Sequence, residues 1–267
     1  MTEKEYREST GISRSELWRL NPAAGGNPEK FMWQKENPQA PTQAMVFGTL
    51  VHLALLEPER FVYEFTFAPE VDRRTKDGKA AWEEVERNRG ERVIVTKTDW
   101  AAANLMVSEV MKYPACKRLL DGEHEVALRW VDDVPGEECK IRADAIVHVG
   151  GTPIIVDYKT TTDASTDEFA KKAVNMGYDF QAGMYCEGFE KATGKRPRFV
   201  FIVQEKNEPY SVNVLEADEE FVQRGKDIFR ELISIYHECK MSGNWWGYMG
   251  PDRSIGRLSL PVWAANK

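Results

Sequence analysis

Long apolar runs are absent from this 267-residue sequence. The longest near-apolar stretch, 44–56, is interrupted by Gly48, Thr49 and His52 and is shorter than the roughly 20 residues that a bilayer crossing needs. No transmembrane helix is expected. An apolar signal segment is lacking too, because the N-terminus alternates in charge, so a cytoplasmic protein with no membrane partner is expected. Cysteine is sparse: Cys116, Cys139, Cys186 and Cys239 form no Cys-x-x-Cys pair, which excludes a cysteine-built zinc or iron–sulfur site and leaves free thiols. The four histidines, His52, His124, His148 and His237, show no paired metal spacing. Positive charge is in the minority, with 36 Lys and Arg against 43 Asp and Glu for a net charge of -7. That balance excludes a generally basic nucleic-acid coat. Repeats and low-complexity linkers are also missing, so one continuous domain over 1–267 is expected.

What is present is globular. The chain is 42% hydrophobic and 11% aromatic, with eight Trp, more core material than a disordered chain carries. Ser13-Arg14-Ser15-Glu16 reads as a capping box, in which Ser13 accepts from the third helical N–H and Glu16 reaches back. A short helix to about Leu20 follows, and a second starts at Pro28 after the Pro/Gly/Asn-rich loop 21–27. The segment 42–57 reads as a mostly buried helix ended by Pro58, while 78–88 and 98–112 have an amphipathic period. The N-terminal portion, about 1–120, is therefore helical. From Glu123 the period changes to two. The segments 125–131, 140–149 and 153–160 read as three antiparallel strands, separated by turn residues at 132–137 and by Gly150-Gly151. Helices at 166–175 and 179–193, strands at 197–205 and 210–215, and a last helix at 218–241 complete a sheet core of about 121–241. The order defines an α/β (α+β) protein whose central mixed sheet, with antiparallel strands, is flanked by helices.

If Gly150-Gly151 is a two-residue hairpin loop, the register sets Asp144 directly opposite Asp157 with both side chains on one face. Like charges so placed repel. Lys159 and Arg142, each two residues from one of the acids, point to the same face. A plain ladder of ion pairs is one resolution. Ile154-Ile155-Val156, however, is the continuous apolar run of a strand buried on both faces, where an unpartnered carboxylate is costly. Clustered hard oxygen ligands in that setting suit Mg²⁺, with Mn²⁺ as a substitute, and such ions commonly take a phosphate oxygen as well. A phosphate ester is the implied substrate.

Asp144, a 13-residue step and Asp157-Tyr158-Lys159 resemble the signature of the PD-(D/E)XK nuclease superfamily. Ahead of the sheet, Phe47-Gly48-Thr49-Leu50-Val51-His52 is similar to the histidine motif of its RecB-like branch, and Gln181-x-x-x-Tyr185 to that branch's glutamine–tyrosine motif. Over most of the chain the resemblance is to the RecE-like exonucleases (exodeoxyribonuclease VIII). It is carried further by Ile12-Ser13-Arg14-Ser15-Glu16-Leu17, Glu57-Pro58-Glu59-Arg60-Phe61 and Trp245-Trp246-Gly247-Tyr248. The resemblance implies a restriction-endonuclease-like core and a Mg²⁺-dependent exonuclease that hydrolyses phosphodiester bonds from duplex DNA ends. Its product would be single strand for prophage-type recombination beside a RecT-type single-strand annealing protein, in a bacterial or phage-infected cell. It also implies a homo-oligomeric ring around DNA. By the resemblance, His52, Asp144, Asp157 and the Tyr158 backbone carbonyl hold the metal, and Lys159 joins Asp144, Asp157 and His52 as the catalytic set. Gln181 and Tyr185, four apart on one helix face, would touch the nucleic-acid backbone or orient Lys159. Ser15, at a helix start, would hold a terminal phosphate, and Arg142 would contact the substrate.

Each residue has a plainer alternative. His52 could be a hydrogen-bonded core histidine, Tyr185 ordinary packing, Gln181 a solvated side chain and Ser13 simply a cap. Glu125 could support a second ion or face solvent. Trp245, Trp246 and Tyr248 could stack on bases or pack within the chain or between subunits. The basic runs Lys191, Lys195, Arg196, Arg198, Lys206 and Arg73, Arg74, Lys76, Lys79 could track phosphates or form a solvated face. Two other functions compete: a different RecB-like nuclease of DNA repair or defence, and a catalytically silent DNA-end-binding module.

Overall fold

The computed structural model describes residues 3–260. It begins with α1 (Glu3–Glu8), a two-residue strand β1 (Ile12–Ser13), α2 (Arg14–Trp18) and α3 (Pro28–Glu36). The capping box forms at α2: Ser13 Oγ accepts from Glu16 N–H, and Ser13 N–H donates to the Glu16 carboxylate at 2.9 Å. Thr42 caps α4 (Gln43–Leu56), which ends before Pro58. Only its second half is buried, and Gln43, Ala44 and Met45 are exposed, where the pattern predicts a mostly buried helix. Periodicity reports which face is apolar but not how far a helix overhangs its sheet.

Next come α5 (Phe61–Glu64), β2 (Phe65–Phe67), α6 (Lys76–Asn88), β3 (Val93–Val95), α7 (Lys97–Val110) and α8 (Pro114–Leu119). β2 and β3 pair in parallel as a separate small sheet. The main sheet contains β4 (Glu123–Val131), β5 (Glu138–Val149) and β6 (Thr152–Thr161). After α9 (Thr166–Asn175) and α10 (Tyr178–Thr193) come β7 (Arg198–Glu205), β8 (Val212–Glu216) and α11 (Glu219–Ser242). The six strands run in the order β1-β5-β6-β7-β8, with β4 also paired to β5. β4, β5 and β6 are antiparallel, β7 joins β6 in parallel and β8 returns antiparallel. This is the mixed sheet flanked by helices that the element order predicts.

Gly150 and Gly151 take φ of 58° and 83°, the positive pair that a tight hairpin matched to strand twist requires. The ladder then runs from Val149↔Thr152 to Ala145↔Val156. It stops one pair short of the acids. The expected face-to-face pairing of Asp144 with Asp157 is not formed; Asp144 Oδ2 instead accepts from the Tyr158 N–H at 2.7 Å. Direct opposition would set like charges against each other, whereas the parted strand leaves a backbone donor that needs an acceptor.

Two apolar cores sandwich the sheet. On one face Leu17, Phe31, Phe169, Phe180, Phe189, Phe229 and Ile233 pack on Ile141, Ile155, Phe199 and Phe201. On the other, Leu50, Val51, Met106 and Val110 meet Val147, Ile154, Val156, Tyr158 and Ile202. The Ile154-Ile155-Val156 run is thus buried on both sides. All four cysteines are free and buried. Among the described residues, no helix is long and apolar enough to cross a membrane.

Candidate active site

Strand alternation divides β6 between the two faces. Tyr158 enters the core under α4 and α7, while Asp157 meets α10 on the opposite side. The Asp157 carboxylate is only 2% exposed. Gln181 Nε2 donates to its Oδ1 at 2.5 Å, and Lys159 Nζ lies 2.6 Å from its Oδ2. Gln181 is therefore a buried partner of the acid rather than a solvated side chain. The Lys159 ammonium also sits 4.9 Å from the centre of the Tyr178 ring. Tyr185, one turn after Gln181, is buried with its ring edge-on to Phe199.

From the other face α4 delivers His52. Its Nε2 lies 2.8 Å from the Tyr158 carbonyl oxygen and its Nδ1 3.6 Å from Asp144 Oδ2. The Tyr158 peptide is thus gripped at both ends, its N–H by Asp144 and its carbonyl by His52. Glu125 completes this side: the ligand-type atoms of His52, Glu125 and Asp144 lie within 4.8 Å of one another. Arg142 forms an ion pair with Glu125 and lies over the Tyr6 ring, 5.7 Å from its centre. Glu125 has φ 53°, a left-handed backbone that L-residues rarely adopt. The neighbouring His124 ties β4 to the ends of α4 and α8, its ring nitrogens 2.9 and 2.8 Å from the Leu56 and Leu120 carbonyl oxygens.

Electrostatics bind the two halves into one site. Burial, then the charge of Asp157, pushes the Asp144 carboxyl up to about 7. Burial and the Asp144 charge likewise raise Glu125. His52 is lowered by burial and then by Lys159, so its imidazole is held neutral. Burial works against the Lys159 charge, but Asp157 and Asp144 outweigh it and hold the ammonium above its ordinary range. Burial keeps Tyr185 a neutral phenol.

Ser15 is exposed, with its Oγ 3.3 Å from Ser13 Oγ. Its neighbour Arg14 is the group that sequence reasoning passed over within the same motif. Arg14 donates to the Met176 and Gly177 carbonyls at 2.6 and 2.7 Å and stacks against Trp18 and Phe180. From sequence Glu125 reads either as support for a second ion or as a solvent-facing strand acid, because the 132–137 connection leaves its register open. Trp245 stacks on Phe31 at 5.3 Å, and the Trp246 carbonyl accepts from Glu29 N–H at 3.0 Å, so this part of the tail packs within the chain. Four members of the basic runs are balanced locally: Arg74 pairs with Asp72, Lys191 with Asp133, Arg196 with Glu219 and Arg198 with Glu216.

The donor set fits a divalent cation. Three acids crowd a partly buried space, a neutral imidazole faces them, and Asp157 Oδ2 has no hydrogen-bond donor beyond the Lys159 ion pair. Excess carboxylate with a neutral histidine is hard-ion chemistry.

A hairpin that opens at two acids, a lysine two residues past the second and helices on both faces define the PD-(D/E)XK class, whose nucleases generally depend on divalent metal. Within that class the chain belongs to the family described as "PDDEXK-like domain of unknown function (DUF3799)", which matches residues 22–251. The fold is similar to the crystal structure of a "Putative exonuclease" from Eubacterium rectale, with a TM-score of 0.64 and 12% identity over 99% of this chain and 97% of that one. A second solved structure, SSO0001, aligns over 72% of this chain and 80% of its own at 20% identity, with a TM-score of 0.30. No curated protein matches the chain significantly.

Proposed function

We propose that this protein is a Mg²⁺-dependent DNA exonuclease acting on duplex ends. The observation that carries the proposal is the convergence on the Tyr158 peptide of Asp144 and His52 from one side, with Asp157 and Lys159 beside it. His52, Asp144, Asp157 and the Tyr158 carbonyl would hold the ion, with Glu125 in reach to support it. When bound, a divalent cation would polarise the scissile phosphate and lower the pKa of water at the site.

The chain's own residues supply the rest. Lys159 stays protonated at neutral pH, so it serves as a fixed positive charge for the developing phosphorane rather than as a base. Gln181 holds the Asp157 carboxylate in one orientation through the Oδ1 hydrogen bond. Tyr185 and the exposed Ser15 Oγ would contact the DNA backbone, and Arg142 would keep Glu125 charged. A RecE-like role, in which a ring of subunits hands single strand to an annealing protein, is the finer form of this reading. Its support is the run of sequence motifs from Ile12 to Tyr248.

End-labelled linear duplex incubated with Mg²⁺ is the decisive experiment. Label should be released progressively from an end by the wild-type protein, while Asp157→Ala should lose at least about a thousandfold in rate, the scale of removing central electrostatic machinery. Full activity in that variant, or duplex binding with no digestion under any divalent ion, would overturn the proposal. Differently labelled ends report polarity in the same assay.

A further inference from the structure

Beneath the candidate metal site lies a polar cluster that the nuclease reading does not use. Gln204, on β7, is fully buried at 0% exposure, as is Tyr158. The Tyr158 hydroxyl donates to Gln204 Oε1 at 2.5 Å. Gln204 Nε2 donates to the Met106 carbonyl at 3.0 Å and to the Tyr210 carbonyl at 3.1 Å. The amide's oxygen and both of its N–H groups are thus engaged, which fixes its orientation and links β6 to α7 and to the approach to β8.

Tyr158 is the residue whose backbone carries the site. Its N–H holds Asp144, its carbonyl faces His52, and its ring lies edge-on to the His52 ring at 5.2 Å and 73°. A tyrosine ring is rigid beyond χ2, so a hydroxyl fixed at the far end restricts how far the peptide at the near end can rotate or shift. In an apolar core every unpaired member of such a network would be costly. This position therefore carries glutamine for a reason other than filling space.

We infer that Gln204 is a positioning residue of the active site, setting through the Tyr158 hydroxyl the location of the Tyr158 carbonyl and the His52 ring that the divalent ion requires. The inference rests on the metal-site reading above. Groups that orient metal ligands typically contribute about 10- to 100-fold in metal affinity. The effect belongs to the ligand geometry, not to stability alone.

The test measures Mn²⁺ affinity by electron paramagnetic resonance on folded protein, independent of turnover. Gln204→Met removes the amide at similar volume, and Tyr158→Phe removes only the hydroxyl. Both should weaken Mn²⁺ binding by about tenfold or more. Glu137→Gln weakens a different cluster, the buried Glu137 carboxylate with half-buried His237 and exposed Lys240, just ahead of β5 and about 23 Å along the chain from Asp144. It should lower the melting temperature and leave Mn²⁺ affinity unchanged. Should Gln204→Met fail to fold, Tyr158→Phe decides the matter. Wild-type affinity in both variants overturns the inference alone, whereas no Mn²⁺ binding by the wild-type protein overturns the metal site and the inference together.

Discussion

Asp144 is the residue with the most to report in solution. Its carboxyl is pushed up to about 7 in the folded protein by burial and by Asp157, against about 3.9 in an unfolded chain. The metal-free fold therefore binds a proton more tightly than the unfolded chain does, and the sign of the linkage follows. Stability from this group is present at low pH and lost as pH rises from about 4 to about 7. In EDTA, the urea midpoint of the wild-type protein should fall between pH 5 and pH 7.5 relative to Asp144→Asn, whose amide oxygen can still accept the Tyr158 N–H. Saturating Mg²⁺ should erase most of the difference for the wild type. Equal pH dependence in both proteins would show that Asp144 is not the titrating group. Asp157-x-Lys159 was legible in the sequence because alternation alone puts both on one face. Gln204 was not, and Glu125 was legible only as one of two alternatives, because a strand residue's importance here depends on which helix or parted strand lies across from it.

At the scale of elements, the crossing of α10 and α11 decides where Gln181 and Tyr185 stand. Gly183 and Gly225 meet at that crossing so closely that a β-carbon on Gly225 would collide with the Asp179 carbonyl, and one on Gly183 with the Gly225 backbone. Close backbone approach of this kind admits no side chain and no easy relief, because both obstacles are main chain. Gly225→Ala should cost roughly 1–3 kcal/mol or more, read from urea unfolding, and should weaken Mg²⁺-dependent digestion beyond what the loss of folded protein explains, since Gln181 moves with α10. Alanine at Gly194, a C-cap with open space around it, should leave digestion unchanged and lose only helix-cap stability. The main helices and strands were readable from period and caps: the Ser13–Glu16 box, the Thr166–Asn175 helix and the Gly150-Gly151 hairpin appear where they were expected. β1, β2 and β3 were not, because two or three residues are too few to display a period. Their pairing is parallel and non-local, with no turn to announce it.

Across the whole molecule, the acidic balance takes on a narrower meaning. Several acids crowd the candidate metal site, and four cations of the outer basic runs are already matched by neighbouring carboxylates. Duplex binding in Ca²⁺ should accordingly show a shallow salt dependence, with a log–log slope no steeper than about -4, as for a protein that neutralises four phosphates or fewer. A slope near -10 would reveal a basic groove that the ion pairs conceal. The two cores explain why the site sits where it does: α4 and α10 approach the same strand from opposite faces, and β6 is the layer they share.

The glycine pair at the β5–β6 turn has a reach well beyond its own two residues. Lying about 20 Å along the strand from Asp157, it sets the parity of the strand that follows. Loss of one glycine would keep every acid, the lysine and the net charge, yet exchange the faces on which Asp157 and Tyr158 emerge. Asp157 would then point into the apolar layer beneath α7, and Tyr158 toward Gln181. The chemistry of this fold is thus indexed by a count of residues, so that odd changes in loop length invert the site while even changes preserve its handedness.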